Sequence, residues 1–249
     1  MTEKLYLFIK QTELVYIWIG GYLKVFGEET NRQDLLKKIG DISQIGGVKS
    51  YEFTDGVSKC IRAVDIVTAC GVDLTVLLDR GMDISKLSYR SVPINFLSAT
   101  KETSQIYYES RGFEYLRTFF GGLVTTCGLT NMGPPCIDNG EELGLHGRIS
   151  NIGAENVWAD GKWENDDYIM WVQGKVRQAK MYGEKLEMTR KITTFMFTPK
   201  LILEDTIENM GFGEYPIMIL YHVNIGYPIV DMNARLVDRS RINISYITP

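Results

Sequence analysis

Val48-Lys49-Ser50-Tyr51-Glu52-Phe53 sets Tyr51 and Phe53 against Ser50 and Glu52, the alternation of a strand with one wet face. Asp55-Gly56 follows as a turn signal, and residues 59–69 are long, apolar and β-branched. After Gly71 comes Asp73-Leu74-Thr75-Val76-Leu77-Leu78-Asp79, a further strand. Short β-runs separated by turn residues predict a meander of antiparallel strands.

The same signal extends in both directions. Residues 1–26 are aromatic and β-branched, and residues 168–175, 185–195, 201–209 and 216–223 are strand-like runs separated by turn residues. From residue 156 the chain reads as β to its end. Two helices are expected. One covers 28–39, with Asn31 capping residues 32–38 and Gly40 ending it. The other covers 109–120, with Phe113, Leu116, Phe119 and Phe120 on one side and Gly121-Gly122 as its stop. Residues 131–144, with Pro134 and Pro135, read as a long loop of the kind that carries function. No linker, low-complexity segment or helix–strand alternation interrupts the pattern. The expectation is one all-β domain over residues 1–249, an antiparallel sandwich.

Composition excludes several classes of function. The 249 residues carry a net charge of −4 and no basic run, so nucleic acid is not an expected partner. Residues 14–26 are apolar, but Gly20, Gly21 and Lys24 interrupt them, and a membrane span needs roughly 20 apolar residues. They read as buried strands. Cys60, Cys70, Cys127 and Cys136 form no Cys-x-x-Cys pair, and no signal peptide opens the chain. Reduced thiols in a cytoplasmic protein, with no metal and no cofactor, are expected.

Only two histidines occur, His146 and His222. Imidazole is the side chain whose ordinary pKa lies nearest neutrality, so each is a candidate for proton transfer. His146 sits between Gly144 and Gly147, which expose backbone to a ligand, and Arg148 beside it offers a planar fork of donors. His222 ends an apolar run; on a strand it shares a face with Leu220 and Asn224. Arg80-Gly81-Met82-Asp83 follows a strand, where Arg80 and Asp83 either point into a cleft or form a structural ion pair. Residues 120–129 are glycine-rich but lack the lysine and spacing of a phosphate loop, so close packing of strand backbones is the better reading. Cys127 within them has no activating neighbour in sequence.

Four ordered motifs carry a resemblance. They are Gly40-Asp41-Ile42-Ser43-Gln44-Ile45-Gly46-Gly47, Asp79-Arg80-Gly81-Met82-Asp83-Ile84, the run from Gly121 to Leu129, and Gly144-Leu145-His146-Gly147-Arg148-Ile149-Ser150. Together they resemble the aldose 1-epimerase-like family designated DUF4432, among the galactose mutarotase-like proteins, over about residues 35–240. The resemblance implies a β-supersandwich whose concave face holds a sugar. It implies that the histidine of a Leu-His-Gly motif, here His146, binds the sugar, and that a histidine on a later strand, here His222, protonates the ring oxygen. Tyr221 precedes His222 where the family pattern has asparagine, and Asn224 follows it.

The family's base is a glutamate near the C-terminus. No glutamate follows His222; Asp231 and Asp238 are the only carboxylates there. The expectation is therefore that the sandwich is C-terminally shortened, that another group acts as base, or that catalysis is lost; a shortened sandwich is expected to be a poor catalyst, with an apolar edge at residues 242–247 that invites self-association into a homo-oligomer. The leading reading is a mutarotase-like protein acting on a small-molecule sugar. His222 is the catalytic acid, His146, Arg80, Arg117, Arg148, Asp83 and Asn224 bind substrate, and the base is unassigned. The alternatives are a non-catalytic sugar binder of the same fold, and a metal-dependent epimerase using both histidines with Asp83 or Glu204.

Overall fold

In the computed structural model, residues 5–10, 14–19, 28, 31–164 and 166–235 are described. The β-branched and aromatic runs fold as strands because such side chains pack well on a pleated, half-buried surface. In chain order the strands are β1 (Leu5–Lys10), β2 (Leu14–Ile19), β3 (Gly47–Glu52), β4 (Arg62–Val67), β5 (Val72–Leu77), β6 (Asp83–Tyr89), β7 (Val92–Pro93), β8 (Phe96–Leu97) and β9 (Gly121–Gly122). There follow β10 (Val124–Leu129), β11 (Cys136–Asp138), β12 (Glu141–Leu143), β13 (Glu155–Glu164), β14 (Asp167–Ala179), β15 (Lys185–Phe195), β16 (Lys200–Asn209) and β17 (Met218–Val223).

Two antiparallel sheets form the body. One runs β1-β2-β16-β15-β14-β13; the other runs β17-β10-β6-β5-β4-β3, with β7 added beside β6. The long strands β14 and β15 pair without a slip from Ile169 opposite Phe195 to Ala179 opposite Lys185. Such a register is strongly specified, because a one-residue shift would turn the buried face of each strand to solvent.

The core lies between the sheets. Val64, Ile66, Leu74 and Val76 of one meet Met170, Val172, Met188 and Ile192 of the other. On β16 the odd residues Leu201, Leu203 and Asp205 are buried, so Glu204 faces outward. On β17, Ile219, Tyr221 and Val223 pack against the core, which turns Leu220 and His222 to the outer side of their sheet.

Both helix expectations need correction. The first shrinks to α1 (Arg32–Leu36), with the Asn31 side chain accepting from the Asp34 N–H as a cap. The second is reduced to one 3-10 turn, Glu114–Arg117. Phe113 and Leu116 are exposed, at 62% and 50%, while Tyr115 and Phe120 are buried. The Thr118 carbonyl here accepts from Arg80 rather than from a later turn of helix. The loop at 131–144 contains the hairpin β11–β12, closed by Asn139-Gly140, both at positive φ. That is the turn chemistry a two-residue hairpin requires. The strand expected at residues 242–247, and Asp238, lie outside the described residues. Among the described residues no helix is long and apolar enough to cross a membrane.

Candidate functional site

His146 lies in a turn that its neighbours force. Its own φ is +60° and that of Gly147 is +73°. A Cβ on Gly147 would sit 2.3 Å from the Gly128 carbonyl oxygen and 2.5 Å from that of Asn131, so the position requires glycine. Backbone bonds fix the turn from both sides. His146 N–H donates to the Gly133 carbonyl at 3.0 Å, and the His146 carbonyl accepts from the Gly128 N–H at 3.0 Å. The ring is held as well, with Nδ1 3.1 Å from the Met132 carbonyl oxygen.

His222 arrives from the other direction, on β17 opposite Thr125 of β10. Its neighbour Tyr221 points into the core, where its hydroxyl donates to Asp205 Oδ2 at 2.7 Å. The alternation of the strand then sets His222 on the outer face. There the two imidazoles meet. Residues 76 positions apart in sequence (222 − 146) bring their ring centroids to 5.7 Å. Phe119 lies 5.5 Å from His222, and Tyr115 lies 5.4 Å from His146, both edge-on. His222 Nδ1 is buried and takes no hydrogen bond from the described residues.

The remaining expected residues are placed unequally. Asn224 is beside the pair, its Nδ2 donating to the carbonyls of Gly121 and His222 at 3.0 and 3.1 Å. Arg148 is exposed behind the His146 turn, in a polar pocket with Tyr108, Glu184 and Tyr215. Burial raises the Tyr108 hydroxyl's pKa against the pull of Arg148, and that hydroxyl donates to the Gly147 carbonyl at 3.0 Å.

Arg80, Asp83 and Arg117 are corrected. Arg80 is fully buried. Its Nε donates to the Ser150 carbonyl at 2.8 Å, its Nη2 to that of Thr118 at 3.0 Å, and its Nη1 to that of Thr103. It joins three loops and does not line the cleft. Asp83 is also fully buried, and its Oδ1 accepts from Arg190 Nη1 and from the Thr126 N–H and hydroxyl. Burial pushes its carboxyl up, against the charge of Arg190. Arg117 was expected to bind substrate; its side chain is 73% exposed and pairs with Glu114 one turn away.

Tyr115 and Tyr108, which frame His146, were not singled out from the sequence. Tyr115 falls between the apolar positions that suggested a helix, so its burial was hidden. Cys127 is buried on β10, and burial pushes its thiol up to about 12, with Asp83 adding to the shift. That is the opposite of an activated nucleophile. No three side chains among His, Cys, Asp and Glu gather to hold a metal ion among the described residues. Of the carboxylates considered for that role, Asp83 is committed to Arg190, and Glu204 faces outward from the other sheet.

Residues 58–244 match the family model described as Domain of unknown function (DUF4432). No curated protein sequence matches the chain. Among solved structures, a Klebsiella pneumoniae subsp. pneumoniae MGH 78578 protein with a provisional aldose 1-epimerase name aligns at a TM-score of 0.70 and 20% identity, over 81% of this chain and 52% of that one. A galactose mutarotase-like protein from Clostridium acetobutylicum aligns at 0.48 and 14% identity, over 77% and 57%. The chain thus spans about half the length of the Klebsiella protein. That likeness shows the fold, an antiparallel β-supersandwich of the galactose mutarotase-like kind. With the family model matched over most of its length, the chain belongs to the DUF4432 family.

Proposed function

We propose that the chain binds a ring-closed sugar against His146 and His222 and interconverts its anomers by acid–base ring opening. The observation that carries this is the meeting of the chain's only two imidazoles at 5.7 Å, flanked by Phe119 and Tyr115. A sugar offers directional hydroxyls and apolar C–H faces, so a site for it needs convergent polar groups with aromatic walls on a rigid sheet. His222 donates a proton to the ring oxygen. His146 binds a hydroxyl, and Asn224 flanks the ring. The four free thiols support a reducing, cytoplasmic setting.

Polarimetry on a freshly dissolved α-anomer, glucose or galactose, tests the reading. The protein is expected to shorten the approach to equilibrium well beyond the spontaneous rate. Loss of the acid in His222→Ala is expected to remove about 10²–10⁴-fold of that advantage. A time course identical with and without protein contradicts it. One observation favours binding without turnover as a second reading: Asp83 is committed to Arg190 and Glu204 faces outward from the other sheet, so neither carboxylate is placed to act as a base. Sugar binding by calorimetry, with an unchanged polarimetric course, is the signature of that second reading.

A further inference from the structure

Among the described residues, His146 is the group best placed to act as a base beside His222. Its Nδ1 lies 3.1 Å from the Met132 carbonyl oxygen. A carbonyl only accepts, so in neutral imidazole the proton of that bond belongs to Nδ1, and Nε2 carries the lone pair. The bond is built into the backbone. His146 N–H donates to Gly133, the residue after Met132, and the His146 carbonyl accepts from Gly128. The positive φ of a bulky residue, +60°, is the kind of local strain that structures retain at working sites. Among the described residues Nε2 makes no hydrogen bond.

We infer that His146, locked in its Nδ1–H form, is the general base of this site, and that it forms with His222 an acid–base pair requiring no carboxylate. This rests on the sugar ring opening proposed above. The Nε2 lone pair takes the proton of the anomeric hydroxyl. The electron pair of that O–H bond becomes the second bond of the new carbonyl. The bond from the anomeric carbon to the ring oxygen breaks, its pair stays on that oxygen, and the oxygen takes the proton of the His222 imidazolium. Rotation about the adjacent carbon–carbon bond presents the other carbonyl face. The steps then reverse, with His222 regaining its proton and His146 returning the one it took. Nothing is oxidised or reduced. Two oxygens on one carbon, each reached by a hydrogen bond of about 2.6–3.2 Å, need two nitrogens a few ångströms apart. Rings 5.7 Å apart meet that need.

Two measurements on the full chain test this. Long-range ¹H–¹⁵N NMR of the wild type sees only four imidazole nitrogens; for neutral His146 it is expected to show a protonated Nδ1 and a bare Nε2. A proton on Nε2 instead overturns the inference, whatever the activity. The second measurement is polarimetric kinetics of His146→Asn, whose amide can still donate towards Met132. With α-galactose, kcat is expected to fall about 10²–10⁴-fold with KM held within a few-fold. An active wild type with an unimpaired, folded His146→Asn sinks the base assignment and leaves the sugar reading standing. A wild type that does not speed mutarotation sinks both.

Discussion

Arg190 of β15 reaches across the sandwich to Asp83 of β6, its Nη1 3.0 Å from Asp83 Oδ1 with both side chains fully buried. The same guanidinium holds Asp205 of β16 through Nε at 2.8 Å and Nη2 at 2.7 Å. Asp205 in turn accepts from the Tyr221 hydroxyl, and Tyr221 is the residue before His222. One cation thus ties both sheets together and steadies the strand that presents the candidate acid.

Replacing that cation leaves two carboxylates buried without compensation. Removing one partner of a buried ion pair costs about 3–5 kcal/mol. Arg190→Met is therefore expected to lower the urea midpoint of unfolding by a corresponding amount, or to abolish folding. A loss below about 1 kcal/mol, the worth of an exposed pair, would show that the network is not what joins the sheets.

Arg80 and Arg117 are expected to behave oppositely. Arg80→Ala strands the carbonyls of Thr103, Thr118 and Ser150 in the interior and removes the cation lying 4.9 Å over Phe120. Unsatisfied buried groups cost about 1–3 kcal/mol each, so thermal stability and any sugar affinity should fall together. Arg117→Ala breaks only an exposed bond to Glu114 and is expected to shift Tm by less than a degree or two. Equal destabilisation by both variants would refute the structural role given to Arg80.

The four thiols should titrate in two classes. Cys60 and Cys136 are exposed, whereas Cys70 and Cys127 are buried, and burial raises the pKa of both buried thiols. A disulfide reagent at pH 8 is expected to modify two thiols quickly in native protein and the others only after denaturation. Rapid native modification of Cys127 would mean a more open β10–β17 region.

Acid should weaken the six-stranded sheet through Glu187. Hydrogen bonds from Lys175 and Arg177, at 2.5 and 2.7 Å, hold its carboxyl below the ordinary value. A carboxylate whose folded pKa lies below its unfolded one stabilises above the unfolded value, and that contribution is lost as pH falls through the folded one. Between pH 7 and about 4.5 the wild type should keep it, and below that lose it progressively. Glu187→Gln should show a flatter acid limb of stability. Parallel curves for the two proteins would exclude Glu187 as a contributor.

The sheets were legible because period-two patterning is local. The run at 185–195 is β15 itself, and 201–209 differs from β16 by one residue. The helix at 109–120 was misread because apolar spacing reports a face, not the hydrogen bonds behind it. The Thr118 carbonyl serves Arg80, a demand made 38 positions away. Asn139-Gly140 announced its hairpin plainly, yet the flanking strands of three residues are too short to show alternation. His146 and His222 stood out by rarity, and strand parity set Asn224 beside His222, where the structure also has it. Arg80 and Asp83 were left between a cleft and an ion pair, and only tertiary partners decide that: three carbonyls for one, Arg190 for the other. Arg190 itself lies in an unremarkable strand, and nothing local marks it.

The central claim is that one sugar sits against both imidazoles. With two histidines in the chain, a ¹H–¹³C spectrum of the ring carbons contains two residues' signals and no others. Galactose or glucose titrated into wild-type protein is expected to move the His146 and His222 signals together, along saturation curves with one common Kd, while glycerol at the same concentration moves neither. If neither responds to either sugar, or if the two respond with different Kd values, the shared site is contradicted.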